Sequence, residues 1–269
     1  MAQAGDRKSI FITGAAAGIG RATARHFARR DWFVGLFDID GVGLAQLAEE
    51  LRAVHGAKTV TTGELDVTDP DQFNESVQAF LAVSGGRLDV LFNNAGILKM
   101  GNFDQVDPAI QRKTIDVNVN GVINGVAAGL DALKATAAAH GDARIINTAS
   151  ASAVYGIPEL TVYSASKHAV RAMTEGFSIE FEPYGIHVSD VLPSYVDTGM
   201  VKNQEHQAEG FKATGIAHTP DDIAKIVWRA AHGEEIHYFG NKQLSRMDKL
   251  ARLFPGYVRR QIKQSSGFE

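Results

Sequence analysis

Short apolar runs alternate along the chain with longer stretches whose hydrophobic residues recur every three or four positions, the pattern of strands and helices taken in turn. The first run, SIFITG (9–14), leads into a helical stretch reaching to about residue 30. FVGLFD (33–38) follows, then a helix whose Leu44, Leu47, Ala48 and Leu51 share one face. TVTTGELDV (59–67) and LDVLFNNAG (88–96) read as the third and fourth strands, separated by a helix that starts after Asp69-Pro70. One long helical segment is predicted over 107–138. ARIINTAS (143–150) and IHVSDVLP (186–193) flank a helix from Thr161 to Glu182, and EIHYFG (235–240) is the expected last strand. This alternation predicts an α/β fold, a doubly wound parallel sheet of about seven strands flanked by helices.

Two segments stand outside the alternation. Residues 194–218 mix polar and apolar positions between a strand end and the next helix, a length at which a loop is usually functional or disordered. The tail, 244–265, places Met247, Leu250, Leu253, Phe254, Tyr257, Val258 and Ile262 at helical spacing, with Pro255 breaking or kinking the run. No repeat or Pro/Ser-rich linker divides the chain, so residues 1–269 are expected to form a single domain. The tail is expected to pack on that body or on another subunit; covering the pocket or lying on a membrane surface are the alternatives.

Composition narrows the function. With 45% hydrophobic residues in 269 the chain can bury a full core. A net charge of −4 gives no electrostatic reason to expect nucleic acid. There is no cysteine, which excludes disulfides, zinc–thiolate sites and cysteine nucleophiles. MAQAGDRKSIFITG lacks a secretory apolar run, and no later stretch approaches about 18 uninterrupted apolar residues, so a cytoplasmic protein without a membrane partner is expected. The nine histidines show no HExxH and no pair on one helix face, so no metal is expected, and the serines lack a GxSxG context.

In TGAAAGIG, Gly14, Gly18 and Gly20 follow the first strand and open the first helix. Such glycines let the backbone approach a pyrophosphate, which the helix N-terminus attracts. Asp38 ends the second strand, where a carboxylate can accept hydrogen bonds from ribose hydroxyls and repel a 2′-phosphate. Neither Ala17 nor Ile39 brings a positive charge, so the expected cofactor is NAD rather than NADP. The alternative is that Asp38 merely caps its own turn.

A lysine follows a tyrosine by four residues twice, in YSASK (163–167) and YFGNK (238–242). On a helix that spacing puts both on one face, where an ammonium lowers the phenol pKa and makes a general acid or base. In YFGNK the intervening Gly240 and Asn241 favour a turn. YSASK lies within a patterned helix, and Ser150 stands thirteen residues before Tyr163 at the carboxyl end of a strand, where α/β sheets bind ligands.

With these residues in place the sequence resembles the classical short-chain dehydrogenase/reductase family over about residues 8–240. TGAAAGIG is similar to its cofactor turn, LDV (65–67) to its adenine-pocket segment, NNAG (93–96) to its fourth-strand motif and NVNG (118–121) to the segment with its catalytic asparagine. The resemblance implies a Rossmann-type fold and a catalytic set of Asn118, Ser150, Tyr163 and Lys167. Tyr163 would exchange a proton with the substrate oxygen, Ser150 would hydrogen-bond that oxygen, Lys167 would lower the tyrosine pKa and bind the nicotinamide ribose, and Asn118 would hold a relay water. It further implies cofactor contacts from Ala17, Ile19, Ile39 and Val196, with Asp66 and Val67 at the adenine, Asn94, Ala95 and Gly96 at the ribose, and Thr198 at the carboxamide. A homotetramer or dimer is implied as well. Where the family usually has Pro-Gly after the sixth strand, this chain has Pro193-Ser194 and then Tyr195; Ser152 is a rival to Ser150.

Apolar residues cluster in the segments that border the family's pocket: Ile97, Leu98 and Met100; Val154, Tyr155, Ile157, Pro158 and Leu160; Val196, Met200, Val201, Phe211 and Ile216. The expected activity is NAD-dependent interconversion of a hydrophobic secondary alcohol and its ketone, a steroid or other bulky ring compound among the candidates. The alternatives are a non-catalytic NAD-sensing protein on the same fold and an NAD-dependent epimerase or dehydratase.

Overall fold

The computed structural model describes residues 7–267. Seven parallel strands form one sheet: β1 (Ser9–Thr13), β2 (Phe33–Asp38), β3 (Val60–Glu64), β4 (Val90–Asn93), β5 (Ala143–Thr148), β6 (Ile186–Leu192) and β7 (His237–Phe239). Their order is β3-β2-β1-β4-β5-β6-β7. The chain winds outward from β1 to β3, then returns to lay β4 on the other side of β1, so the winding reverses between β1 and β4. In such a sheet a crevice opens at the reversal, outside the carboxyl ends of the strands.

Alternate residues of β1 serve opposite faces of the sheet. Ile10 and Ile12 pack toward α1 (Gly18–Ala28), α2 (Gly41–His55) and the distant helix Pro220–Ala230. Phe11 packs on the other face, stacked on Phe37 at 3.9 Å between ring centroids and edge-on to Phe80 of α3 (Pro70–Ser84). These contacts fix which face each helix covers. Local chemistry starts the helices: Asp40 accepts from Gly43 N at 2.9 Å to cap α2, and Asp69 accepts from Gln72 N at 3.0 Å to cap α3, with Pro70 in its first turn.

Three stretches depart from the expected elements, and the tail breaks at Pro255 as expected. The third strand ends at Glu64 because the Asp66 carboxylate accepts from both Thr68 N and Thr68 Oγ1 and turns the chain. The segment expected as one helix over 107–138 is α4 (Pro108–Ile115), a π-helical turn at Asp116–Asn120, and α5 (Gly121–His140). The loop 194–218 contains two short helices, α7 (Gly199–Lys202) and α8 (Glu209–Thr214). It follows β6, and α6 (Thr161–Glu180) precedes that strand. After α9 (Pro220–Ala230) and β7 the tail forms two helices, α10 (Lys242–Leu253) and α11 (Pro255–Ser265), because Pro255 can open a helix but not continue one.

Candidate active site

The turn after β1 is built around its glycines. Gly14 holds φ +66, and a Cβ on Gly20 would collide with the Gly14 carbonyl oxygen, so both positions exclude a side chain. Thr13 Oγ1 accepts from Asn94 N at 2.9 Å and Ala95 N at 3.0 Å, while Asn94 Nδ2 donates to Thr13 O and Gly14 O. The NNAG segment is thereby sewn to the glycine turn. Thr198 Cγ2 closes on Gly18 from the far side of the crevice, 3.0 Å from where its Cβ would sit.

Asp38 accepts from Ala16 N at 3.0 Å and from Asp40 N at 3.1 Å. It therefore braces the turn, as the alternative reading had it, and it also borders the crevice with free lone pairs on each oxygen. Arg21 of α1 reaches back to Ala16 O at 3.4 Å and lies 3.6 Å from Glu50.

The crevice opens into a cleft of about 790 Å³. Gly14, Ala17, Gly18, Ile19, Asp38, Ile39, Asp66, Val67, Asn94, Ala95, Gly96, Val196 and Thr198 line it, together with Ser150, Tyr163 and Lys167. Gly20 and Asn118 do not line it.

At the inner end, β5 delivers Ser150 and α6 delivers Tyr163 and Lys167. Lys167 is 4% exposed and donates to Thr148 O at 2.7 Å, which ties α6 to the end of β5. Burial lowers its pKa to about 8. Its ammonium lies 5.8 Å from the Tyr163 ring centroid. Spacing alone anticipates a phenol pKa lowered by Lys167; instead burial pushes Tyr163 up, and only Ser150 pulls it the other way. Tyr163 is thus kept as a neutral phenol. Ser152 also reaches the cleft, but it is Ser150 whose hydroxyl lowers the Tyr163 phenol pKa, with Ser152 beside it at 3.3 Å.

Asn118 is fully buried in the π-helical turn. Its Oδ1 accepts from Ile97 N at 2.8 Å, and Nδ2 donates to Ile97 O and to Ser166 Oγ, both at 3.0 Å. With both N–H groups engaged, only carbonyl lone pairs remain to hold a water. The side chain pins the segment after NNAG to α6.

The second tyrosine–lysine pair separates as the turn residues imply. Tyr238 is buried in β7 and accepts from Glu235 N at 3.2 Å, while Asn241 caps α10 at Lys242.

Another part of the cleft is apolar. Ile97, Leu98, Val154, Tyr155, Ile157, Leu160, Met200 and Val201 line it; Met100 and Phe211 pack behind it in one cluster with Leu160 and Val201, and Pro158 and Ile216 stay outside. Tyr195 and the tail residues Leu244, Met247, Ile262 and Ser266 also line the wall, so the tail covers the pocket, which the sequence offered only as an alternative; Leu244 and Ser266 were not singled out. The amphipathic stripe of the tail was the available signal. Burial, then Tyr163 and Glu159, push the Tyr195 hydroxyl up to about 12. Glu159 takes the left-handed conformation at φ +63, and its carboxylate accepts from Glu209 N at 2.7 Å while pairing with His206 at 2.6 Å.

Residues 8–209 match the sequence model of the family described as short chain dehydrogenase. The chain belongs to the short-chain dehydrogenase family. It is therefore an oxidoreductase of a family that uses nicotinamide cofactors, and the glycine cradle, too tight for any side chain, fits such a group. This family member is 30% identical over 225 residues to the cyclohexanol dehydrogenase of Acinetobacter sp. (strain SE19), covering 82% of this chain and 86% of that one. A short chain dehydrogenase/reductase from Burkholderia phymatum, solved in complex with NAD, superposes with a TM-score of 0.82 at 25% identity and 96% coverage of both chains. An alcohol dehydrogenase from the archaeon Thermococcus sibiricus, complexed with 5-hydroxy-NADP, gives a TM-score of 0.75 at 27% identity, over 87% of this chain and 95% of that one.

Proposed function

We propose that the chain is an NAD-dependent oxidoreductase that interconverts a hydrophobic secondary alcohol and its ketone. The observation that carries this reading is the meeting of Tyr163, Ser150 and Lys167 in one cleft that the glycine turn, Asp38 and an apolar wall also line. A bound nicotinamide supplies or accepts the hydride. The protein's part is to hold the substrate oxygen and move its proton. In reduction Tyr163 Oη donates the proton to the substrate oxygen, and in oxidation it takes the proton back. Ser150 Oγ hydrogen-bonds the same oxygen and fixes its distance from the phenol. The Lys167 ammonium stabilises the phenolate as it forms, at a site where burial otherwise opposes ionisation. Asn118 holds the loop after β4 and its carbonyl lone pairs offer a place for a relay water.

Asp38 supports NAD over NADP, because its carboxylate would repel a 2′-phosphate and Arg21, in the helix after the glycine turn, is engaged with Ala16 O and Glu50. The apolar wall supports a substrate with a bulky hydrocarbon body, and the similarity to a cyclohexanol dehydrogenase supports a ring alcohol. The whole described chain acts as one catalytic domain, working as a homo-oligomer. A Tyr163→Phe variant tests the reading: turnover of secondary alcohols with NAD is lost while NADH binding persists. Retained turnover, or a parent inactive on a broad alcohol and ketone panel, defeats it.

A further inference from the structure

The two faces of the tail differ in what they meet. On the inner face Leu244, Met247 and Ile262 line the cleft, Val258 is buried, and Asp248 is clamped by Arg171. On the outer face Leu253 is 71% exposed, Phe254 59%, Tyr257 54% and Leu250 41%. These four gather where α10 ends and α11 begins. No other stretch of the described chain exposes large apolar residues so densely.

Around this tip stand Arg246, Lys249, Arg259, Arg260 and Lys263, all exposed and, among the described residues, without a carboxylate at ion-pair distance. Arg252 is the one cation there that pairs, with Asp248 and Glu175. Residues 242–265 carry seven Lys or Arg and one acid in a chain whose net charge is −4, so the tail is +6 and the rest of the protein −10. A field so divided turns the tail toward an anionic surface and the remainder away from it.

We propose that the outer face of α10–α11 is a docking surface for an anionic lipid bilayer. Leu253, Phe254 and Tyr257 enter the boundary between headgroups and acyl chains, and the surrounding Arg and Lys residues meet lipid phosphates. Among the described residues no helix is long and apolar enough to cross a membrane, so the contact is peripheral. A second copy of the chain is a poorer occupant, because a two-fold interface would set the same cationic patch against itself. A nucleic acid would match the charge but leave the apolar tip without a partner. Docking here brings the tail wall of the cleft against the lipid surface.

Vesicle co-sedimentation of the full chain tests the proposal. Binding is expected to mixed phosphatidylcholine and phosphatidylglycerol vesicles, with little to phosphatidylcholine alone, and to weaken steeply as salt shortens the screening length. Each basic residue removed should weaken binding roughly fivefold, so an Arg259→Gln/Arg260→Gln pair should lose more than about tenfold. A Leu253→Ser/Phe254→Ser pair should also release the protein, while turnover of a water-soluble alcohol stays at the parent value, since neither pair borders the cleft. Equal binding to both vesicle types, no binding, or unchanged binding by the variants overturns the proposal. So does a fall in oligomeric mass in the Leu253→Ser/Phe254→Ser variant, which would make the patch an interface between copies.

Discussion

Arg171 on α6 grips Asp248 on α10 with two bonds, Nη1 to Oδ1 at 2.5 Å and Nη2 to Oδ2 at 3.0 Å, and Nη1 also donates to Ala153 O at 3.3 Å. Both residues are under 9% exposed. One guanidinium thus joins the helix of Tyr163, the segment after Ser150 and the tail. Removing one partner of a buried pair leaves the other charge stranded, at about 3–5 kcal/mol. Asp248→Ala is expected to detach the tail rather than unfold the sheet. Hydrogen exchange over 242–265 should accelerate, and KM for a bulky alcohol should rise more than kcat falls. An Arg171→Met/Asp248→Leu pair should recover much of the lost stability.

Lys167 makes stability depend on pH in a direction that can be worked out. Its folded pKa, about 8, lies below its ordinary value, so above pH 8 the unfolded chain binds more protons than the folded one. Stability therefore rises with pH until the unfolded lysine also loses its proton. The full penalty below pH 8 is roughly 3 kcal/mol, at about 1.4 kcal/mol per unit. In the cofactor-free protein, the parent should gain about 2 kcal/mol on Lys167→Met between about pH 7 and 9.5, read from denaturant midpoints. A flat difference would show that the ammonium is solvated.

Gly20→Ala places a methyl against the Gly14 carbonyl and 2.8 Å from Asn94 Nδ2. The turn must shift, which costs about 1–3 kcal/mol and distorts the cradle. Thermal melting should fall by several degrees, and NADH affinity, read by fluorescence titration, should fall at least tenfold.

Asp38→Ala removes the acceptor for Ala16 N and Asp40 N together with the negative charge. The lost bonds should lower stability by about 1–2 kcal/mol. The lost charge should narrow the gap between NADH and NADPH affinity. A parent that binds NADPH more tightly than NADH would overturn the cofactor choice.

Most of the sheet was legible because its strands are apolar runs bounded by turn residues, and the site because its parts sit at strand ends. The π-helical turn at 116–120 was not, since widening one turn leaves the hydrophobic repeat of 107–138 almost unchanged. Nor could spacing show that Asn118 spends its amide on Ile97, or that Thr13 binds two backbone N–H groups 81 and 82 residues away. Such bonds join segments whose proximity only the folded sheet creates. The phenol of Tyr163 illustrates a different limit: an i, i+4 lysine argues for a lowered pKa, but the sign depends on burial, which the local string does not encode.

The cleft draws its walls from both ends of the sequence, the nucleotide end from residues 14–96 and part of the substrate end from residues 241–266. A growing chain therefore completes these walls in a set order. The glycine turn after β1 can form as soon as β4 has paired with β1, whereas Met247 and Ile262 reach the cleft only after every strand of the sheet has been made. Until then the apolar half lies open to water, and hydrophobic ligands find no enclosure there.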